Sequence, residues 1–297
     1  MISKKQLFLA IKNSLRFIPD KLYIKLLFFL HFHKSIDFEN PRTFNEKIQL
    51  YKLFYKNDLM TLCADKLLVR DYVANKIGAQ YLTKLYGVYD NCSVLEKAEL
   101  PDEYVLKCTH DSQSVQISTN SSPLNKKIAY KNLNRALNRN WFWQGREWAY
   151  KNITPRIICE EYLTDGHSQF PKDYKFYCFN GRVALIQVDI DRFNLNHEEL
   201  LFDENWNSLG DWNSDAVIKE SEDFKPSCFD KLLQLSEILS SDFPHARIDW
   251  YVIDEKIYFG EITFYTGSGF DLFYDTEKFP DSLDSALGEL FLLEKYI

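Results

Sequence analysis

The chain has 297 residues, of which 45% are hydrophobic and 16% aromatic, and its formal net charge is −7 at pH 7. This composition excludes a disordered protein, and the acidic balance argues against a general nucleic-acid-binding protein, which needs a strongly cationic surface. The six cysteines show no CxxC or zinc-like spacing, so we expect free thiols in a reducing cytoplasm.

Residues 1–35 are basic, with seven lysines and arginines and one acid, Asp20. Their pattern predicts one or two amphipathic helices broken near Pro19. Such a region fits a membrane surface, and it also fits a helix that packs on the domain with its lysines in solvent. The most apolar run, 23–32, is too short to span a bilayer, and residues 1–10 lack the apolar core of a signal peptide. We expect a cytoplasmic protein, with peripheral contact at the inner face of the membrane as the open alternative.

Two helices are predicted next. The stretch 40–56 begins with Thr43, which can cap the helix, and Glu46 three residues later completes a capping-box pattern. A second helix is expected to begin near Asp65 and to end at Gly78. Its Lys66 and Arg70 fall on one face, one turn apart. These two side chains are either solvated or reach into a cleft.

A strand is predicted over 101–108, where Lys107 interrupts an apolar run. A lysine in a buried strand needs an anionic partner. The polar loop 109–116 follows and contains His110, the histidine best placed for a functional role. A basic helix is expected over 123–140, and an apolar strand over 155–163 carries Glu160 and Glu161.

The stretch 173–192 is predicted as a hairpin around Asn180-Gly181, a strong turn signal. A ladder without a bulge would place four residues on one face: Asp173, Lys175, Ile190 and Arg192. A helix with a leucine stripe is expected over 227–241, and a final helix over about 282–296.

A second hairpin, 246–264, combines an apolar face with a charged face. A turn centred on Glu255 pairs Asp249 with Glu261, Arg247 with Thr263 and Tyr251 with Phe259. Strand alternation then brings Arg247, Asp249, Glu261 and Thr263 to one side. Two carboxylates beside an arginine suit Mg²⁺-bound polyphosphate, although a surface ion pair would use the same residues.

Several common catalytic motifs are absent from the sequence, namely GxxxxGK[ST], GxGxxG, GxSxG and HExxH. The only DxD pair is Asp189-Ile190-Asp191, and its position at the end of a hairpin strand gives little support to a sugar-nucleotide site. The order of helices, strands and hairpins predicts an α+β fold with antiparallel or mixed sheets.

Seven motifs, in order from Pro41 onward, resemble the ATP-grasp superfamily and specifically its branch similar to the teichuronopeptide biosynthesis protein TupA. They are Pro41–Lys47, Ala64–Lys66 with Arg70, Leu100–Lys107, Arg146–Tyr150, Pro155–Glu161, Asp173–Gly181 and Arg247–Asp249 with Phe259–Gly269. The resemblance implies an ATP-grasp fold that holds ATP between two sheets. It also implies a mainly helical region over 1–95, a central lid lobe over 96–163 and a catalytic lobe over 164–297.

The resemblance, together with the charged residues that interrupt strands, implies a set of site residues. The expected catalytic residues are Lys175, Arg192 and Arg247. The expected ATP-binding residues are Lys66, Lys107, His110, Ser112, Ser114, Glu160, Glu161, Tyr162, Leu163 and Lys175. The expected Mg²⁺ ligands are Asp249, Glu261 and Thr263, and the acceptor would meet Ser268 and Gly269. Two departures stand out, since the phosphate loop lacks glycine and Thr263 replaces the asparagine of the wider pattern.

The implied reaction joins a small amine or amino acid to a uronic-acid-containing saccharide, or to its nucleotide- or lipid-linked precursor, through an acyl phosphate. Such an amide would belong to a capsule, an O-antigen or a teichuronic-type polymer. A phosphotransferase with the same ATP site, a glycosyltransferase of polysaccharide assembly and a non-catalytic binding module are the alternatives.

Overall fold

The computed structural model describes residues 15–166, 171–190, 198–211, 224–273 and 282–293. The α-helices in these ranges are α1 (Asp20–Phe32), α2 (Phe44–Phe54), α3 (Asp58–Ala64), α4 (Val69–Lys76), α5 (Cys92–Leu95), α6 (Lys126–Leu137), α7 (Phe142–Gly145), α8 (Phe229–Ser240) and α9 (Leu283–Leu290). The strands are β1 (Leu85–Tyr89), β2 (Tyr104–Cys108), β3 (Gln116–Ser118), β4 (Ile157–Glu160), β5 (Asp173–Phe179), β6 (Arg182–Ile190), β7 (Glu198–Phe202), β8 (Ser208–Asp211), β9 (His245–Ile253) and β10 (Lys256–Thr263).

The strands form two antiparallel sheets, which confirms the predicted α+β class. The small sheet has four strands in the order β1-β4-β2-β3, and the large sheet has six in the order β10-β9-β5-β6-β7-β8. All five pairings of the large sheet are also antiparallel. Each sheet has its own hydrophobic core. The leucine stripe of α8 is buried against the large sheet, where Trp250 donates a hydrogen bond to Ser236.

Local signals locate α2 correctly. Thr43 caps the helix, and the reciprocal bonds with Glu46 form the predicted capping box. The next helix differs from expectation, because α3 ends before Asp65 and α4 starts only at Val69. The Asp65 carboxylate accepts the backbone N–H groups of Leu67 and Leu68, so it stabilises a turn where the sequence predicted the first turn of a helix.

The turn of the 246–264 hairpin is tighter than predicted. Asp254 and Glu255 both have positive φ, 48° and 64°, which is the two-residue type I′ arrangement. A two-residue turn pairs Tyr251 with Tyr258, so the predicted pairing of Tyr251 with Phe259 is wrong. A regular ladder from this turn would also have paired Asp249 with Gly260.

A β-bulge at Gly260 restores the pairing of the two carboxylates. The register shifts between Phe259 and Glu261, and Glu261 returns opposite Asp249, as predicted. A Cβ on Gly260 would lie 2.9 Å from the backbone oxygen of Asp249. The close approach of the two strands therefore requires glycine at this bulge.

A second β-bulge, in the β5–β6 hairpin, makes the strand register differ from the predicted one. Tyr177 pairs with Leu185 while Cys178 pairs with Val183, so Ala184 is the extra residue. This shift places Gln187 and Asp189, rather than Ile190, on the face of Lys175. The prediction that Ile190 shares that face is wrong, and Arg192 lies outside the described residues.

The final helix is shorter than predicted. Residues 282–296 were expected to be helical, but α9 ends at Leu290. Phe291 and Leu293 turn into the core and are almost fully buried, which accounts for the early end. Across the ranges that the structure describes, we find no helix whose length and hydrophobicity would allow it to cross a membrane.

Candidate active site

A cleft of about 740 Å³ lies between the two sheets, a size within the range of small-molecule sites. Its lining comes from α4, β2, the following loop and β4 on one side, and from β5, β9 and β10 on the other. The charged and polar lining residues are Lys66, Arg70, Thr83, Lys107, Ser112, Gln113, Gln116, Glu160, Glu161, Tyr162, Asp173, Tyr251, Asp249 and Glu261.

The side of the cleft that α4, β2 and β4 form, which we call the cationic wall, carries Lys66, Arg70 and Lys107, and the last two pair with Glu160. The Lys107 ammonium lies 2.5 Å from one Glu160 oxygen, and the Arg70 guanidinium lies 2.9 Å from the other. Thr83 donates a longer hydrogen bond to the same carboxylate. Glu160 is therefore the anionic partner that Lys107 requires, and two cations share its single negative charge.

The loop after β2 presents only some of its polar residues to the cleft. Ser112 and Gln113 line the cleft, and Lys66 donates a hydrogen bond to the backbone oxygen of Asp111. Ser114 is buried, and its hydroxyl accepts a hydrogen bond from the Cys108 N–H at 2.7 Å. Side-chain hydrogen bonds thus hold a loop that has no glycine.

His110, although it belongs to the same loop, is turned into the protein. Its Nε2 lies 3.1 Å from the carbonyl of Ala136 and 3.0 Å from that of Arg139, at the end of α6. It is buried and has no place among the described residues that line the cleft. The structure gives His110 a role in holding α6 against the loop.

The opposite side, which we call the acidic wall, consists of Asp173, Asp249 and Glu261. Arg247 lies beside it and binds Asp249 with two hydrogen bonds, Nε to Oδ1 at 2.7 Å and Nη2 to Oδ2 at 2.6 Å. Glu261 is 3.6 Å from the same guanidinium and is more exposed than Asp249. Burial raises the pKa of the Asp249 carboxyl, and the charge of Arg247 opposes that shift.

Lys175 pairs across the sheet with Asp249 of the acidic wall, but it is not among the described residues that line the cleft. It is buried and paired with Asp189, with Asp173 at 3.7 Å. Gln187 donates to Asp189 at 2.6 Å and accepts a hydrogen bond from Tyr177 at 2.8 Å. The network leaves more negative than positive charge around Lys175.

The acidic wall fits a magnesium ion bound together with phosphates. The described residues include no cluster of three or more metal-ligating side chains, but Mg²⁺ in nucleotide sites takes one or two carboxylates and completes its shell with water and phosphate oxygens. Asp249 and Glu261 meet that requirement. The Thr263 hydroxyl donates a hydrogen bond to Glu261 at 3.2 Å and accepts one from Arg247 at 3.3 Å. Thr263 therefore helps to orient the Glu261 carboxylate and the Arg247 guanidinium.

The predicted acceptor residues, Ser268 and Gly269, form a left-handed turn beside this region. Gly267, Ser268 and Gly269 all have positive φ, and their backbone is held by the polar face of α2. Lys52 donates a hydrogen bond to the Ser268 backbone oxygen at 2.6 Å, and Gln49 donates one to the Gly269 backbone oxygen at 2.8 Å. Two side chains of α2 thus position this turn.

The turn also contacts the segment after α7. The Ser268 hydroxyl donates to Glu147 at 2.6 Å. Burial raises the pKa of Tyr150 well above its usual value, and the nearby carboxylates of Glu147 and Glu261 add to that shift. Tyr150 is therefore near both Glu147 and Glu261 of the acidic wall. Ser268 and Gly269 are not among the described residues that line the cleft.

Sequence reasoning missed several residues of the site. The sequence does not decide between solvent and cleft for Arg70, and it gives no signal for Thr83. Glu147 belongs to one of the sequence motifs but has no role assigned by it, Lys52 belongs to none of them, and the bulge at Gly260 is not visible in the sequence. The structure buries Gln49 and Lys52 on α2, where such residues need backbone or ionic partners.

The chain was compared with known proteins by sequence and by fold. No curated protein matches it. Among similar solved structures is the D-alanine–D-alanine ligase from Bacillus anthracis complexed with ATP, with 15% identity over 79% of this chain and 63% of that chain, at a TM-score of 0.41. The L-amino acid ligase from Bacillus licheniformis has 13% identity over 76% and 49%, at 0.44.

The D-alanine–D-alanine ligase from Helicobacter pylori has 15% identity over 82% of this chain and 68% of that chain, at a TM-score of 0.45. This chain thus spans about half to two-thirds of the length of these structures. A sequence model described as "TupA-like ATPgrasp" matches residues 46–292, which is more than four-fifths of the chain. The chain therefore belongs to the TupA-like ATP-grasp family.

Proposed function

We propose that the protein is an ATP-dependent carboxylate–amine ligase that forms an amide through an acyl phosphate. One observation carries the proposal: the cleft joins a cationic wall, Arg70 and Lys107 on Glu160, to an acidic wall that includes Asp249 and Glu261. Phosphate groups need the first kind of surface, and a divalent cation needs the second. A cleft with both suits a metal–polyphosphate substrate.

In this proposal the chain's residues act by positioning and charge. Lys107 and Arg70 hold more positive charge than Glu160 neutralises, so they can bind phosphate oxygens. Residues 160–163 line the cleft, and their backbone groups are the proposed contacts of the adenine base. Asp249 and Glu261 would hold Mg²⁺, which when bound withdraws charge from the transferred phosphoryl group. Arg247 orients Asp249 through its two hydrogen bonds.

The reaction proceeds in two displacements. A carboxylate oxygen of the substrate attacks the γ-phosphorus, the bond from that phosphorus to the β,γ-bridging oxygen breaks, and ADP leaves. The amine nitrogen then attacks the acyl carbon of the acyl phosphate, inorganic phosphate leaves, and the nitrogen loses a proton. Fixed charges in a partly enclosed site lower both barriers mainly by orientation and charge stabilisation.

The proposed substrates are a uronic-acid-containing saccharide, or its nucleotide- or lipid-linked precursor, and a small amine or amino acid. Membership of the TupA-like family supports this class, and the proposed setting of the reaction is the assembly of a surface polysaccharide such as a capsule or an O-antigen. The turn at Ser268 and Gly269, held next to Glu147, is the proposed acceptor side.

Thermal unfolding with and without ATP and Mg²⁺ tests the nucleotide site. We expect the two together to raise the Tm of the wild type, since a ligand that binds only the native state stabilises it. Glu261→Gln should lose most of that increase, whereas Glu255→Gln, in the exposed turn of the same hairpin, should keep it. The absence of a shift in the wild type would reject the ATP site.

Trapping with hydroxylamine tests the chemistry. Glucuronate, ATP–Mg²⁺ and hydroxylamine should give ADP and the hydroxamate of glucuronate, because hydroxylamine captures an acyl phosphate as an amine would. A phosphotransferase would release ADP with the saccharide alone and would form no hydroxamate. That result would replace the ligase with a kinase that uses the same ATP site.

A further inference from the structure

Helix α1 is apolar on two sides. Tyr23, Ile24 and Phe28 are fully buried against the protein. The opposite side exposes Leu22, Leu26, Phe29 and Leu30, and these residues with the preceding Phe17 are between 40% and 82% exposed. We call these five residues the outer face of α1. The four helical members span about 12 Å along the axis, and large apolar side chains concentrated in this way mark a contact surface.

Basic residues surround the outer face. Arg16, Lys21, Lys25 and Lys34 lie in or beside α1, and each is exposed. The one acid of this segment, Asp20, is paired with Arg146 at 2.9 Å. The local charge is therefore positive in a chain whose net charge is −7, which makes this face complementary to an anionic surface.

The pattern differs from that of the other basic helix. Helix α6 exposes Lys126, Lys127, Lys131 and Arg135, but Ile128 is its only strongly exposed large apolar residue in the described chain. A surface that binds its partner through charge alone does not require exposed apolar residues. The combination of lysines with exposed leucine and phenylalanine is typical of helices that lie in a membrane interface, where aliphatic lysine stems extend past the apolar residues towards headgroups.

The position of α1 connects this face to the site. Phe270 follows the turn at Ser268 and Gly269, and it packs against Phe28, His31 and Phe32 of α1 at ring-centroid distances of 5.2 to 6.5 Å. One aromatic cluster therefore joins the acceptor turn to α1, the helix that carries the outer face.

We infer that the outer face of α1 binds the surface of a bilayer containing anionic lipids. The apolar side chains enter the interface while the four basic residues meet lipid headgroups. Docked in this way, α1 holds the acceptor side of the cleft near the membrane, where a lipid-linked saccharide would be presented. That last step rests on the proposed function, but the lipid binding does not.

Co-sedimentation with vesicles tests the inference on the full chain. The wild type should bind vesicles of phosphatidylcholine with phosphatidylglycerol, should bind vesicles of phosphatidylcholine alone at least about tenfold more weakly, and should be released by salt. The triple variant Leu22→Gln, Leu26→Gln, Phe29→Gln should bind anionic vesicles at least about tenfold more weakly. Lys21→Glu with Lys25→Glu should do the same.

Two controls on α6 separate a specific face from general charge. Lys126→Glu with Lys127→Glu, and separately Ile128→Gln, should bind like the wild type. Each variant should keep the wild-type Tm and its increase with ATP–Mg²⁺, because the altered side chains are exposed and do not line the cleft. Loss of vesicle binding with ATP–Mg²⁺ stabilisation retained separates this inference from the ATP site.

Three results would overturn the inference: no binding of anionic vesicles by the wild type, wild-type binding by the triple glutamine variant, or equal losses from the α6 charge variant. If the wild type does not bind vesicles but is a dimer that the triple variant converts to a monomer, the outer face contacts a second copy of the chain and the lipid inference is wrong.

Discussion

The two walls of the cleft use the same kind of ion pair for opposite purposes. On the cationic wall one carboxylate, Glu160, serves Arg70 and Lys107, whose side chains are 16% and 21% exposed. On the acidic wall one guanidinium, Arg247, lies beside Asp249 and Glu261, and the Asp249 side chain is 3% exposed. The numbers of cationic and anionic side chains on each wall decide the sign of its net charge. The cationic wall keeps positive charge, as the proposed phosphate site requires, and the acidic wall keeps negative charge, as the proposed cation site requires.

The largest effect should come from Asp249→Asn, which removes the carboxylate from the acidic wall. Arg247 would lose its buried partner and keep only the longer contact with the more exposed Glu261, which should lower the unfolding free energy by about 3 kcal/mol. The dependence of ATP binding on Mg²⁺ should disappear. Calorimetric titration with and without Mg²⁺, together with urea unfolding, measures both effects.

Asp254→Asn, in the turn of the same hairpin, is the control and should behave as the wild type. An Asp249→Asn protein whose ATP affinity still rises with Mg²⁺ would show that the metal does not depend on the acidic wall.

Lys107→Met, on the cationic wall, should weaken nucleotide binding without changing the dependence of that binding on Mg²⁺. Loss of a charged contact to phosphate should weaken ATP and ADP alike by about 2 kcal/mol, roughly thirtyfold in Kd. Stability should change by less than about 1 kcal/mol, because Glu160 keeps Arg70 as a partner. Titration of both nucleotides measures this, with the exposed Lys97→Met as control. An effect limited to the Mg²⁺ complex would contradict the division of roles between the walls.

Gly260→Ala should disturb the pairing of the two carboxylates without changing any charge. The new Cβ would lie 2.9 Å from the Asp249 backbone oxygen, and relief of that contact should cost about 2 kcal/mol in stability. Binding of ATP–Mg²⁺ should weaken while metal-free ATP binding stays nearly constant. Lys256→Ala on the same strand is the control, and equal losses of both binding modes would exclude a specific effect on the acidic wall.

The smallest effect should be a pH dependence beside the acidic wall. Burial lowers the pKa of His245 from 6.5 to about 3, and Arg247 adds to this shift. The unfolded chain therefore binds a proton below pH 6.5 that the folded chain rejects, so stability falls as the pH decreases. Proton linkage at His245 should lower the free energy of unfolding by about 1 kcal/mol as the pH falls from about 7 to about 5.5.

His245→Asn should remove that part of the slope in urea unfolding, whereas His33→Asn, at an exposed helix end, should leave it unchanged. An identical slope in His245→Asn and the wild type would mean that His245 does not carry the proton linkage.

Most of the secondary structure and the main charged residues could be predicted because their signals are local. Thr43 and Glu46 form a capping box within one turn of the chain, and Asn180-Gly181 forms its turn from neighbouring residues. The need of Lys107 for an anion follows from its place in an apolar run. The loop residues could not be separated in the same way, since Ser112 lines the cleft while His110 and Ser114 turn inward.

By itself, the sequence determined the α+β class, the family motifs and the alternation that brings Arg247, Asp249 and Glu261 to one face. The tertiary structure decided the register and the net charge of each wall. The Asp249–Glu261 pair depends on a two-residue turn and a bulge at Gly260 whose shifts cancel, and Lys175 meets Asp189 only because Ala184 is bulged. Alternation is a property of one strand, whereas bulges and ion-pair ratios arise from the packing of strands that are distant in the chain.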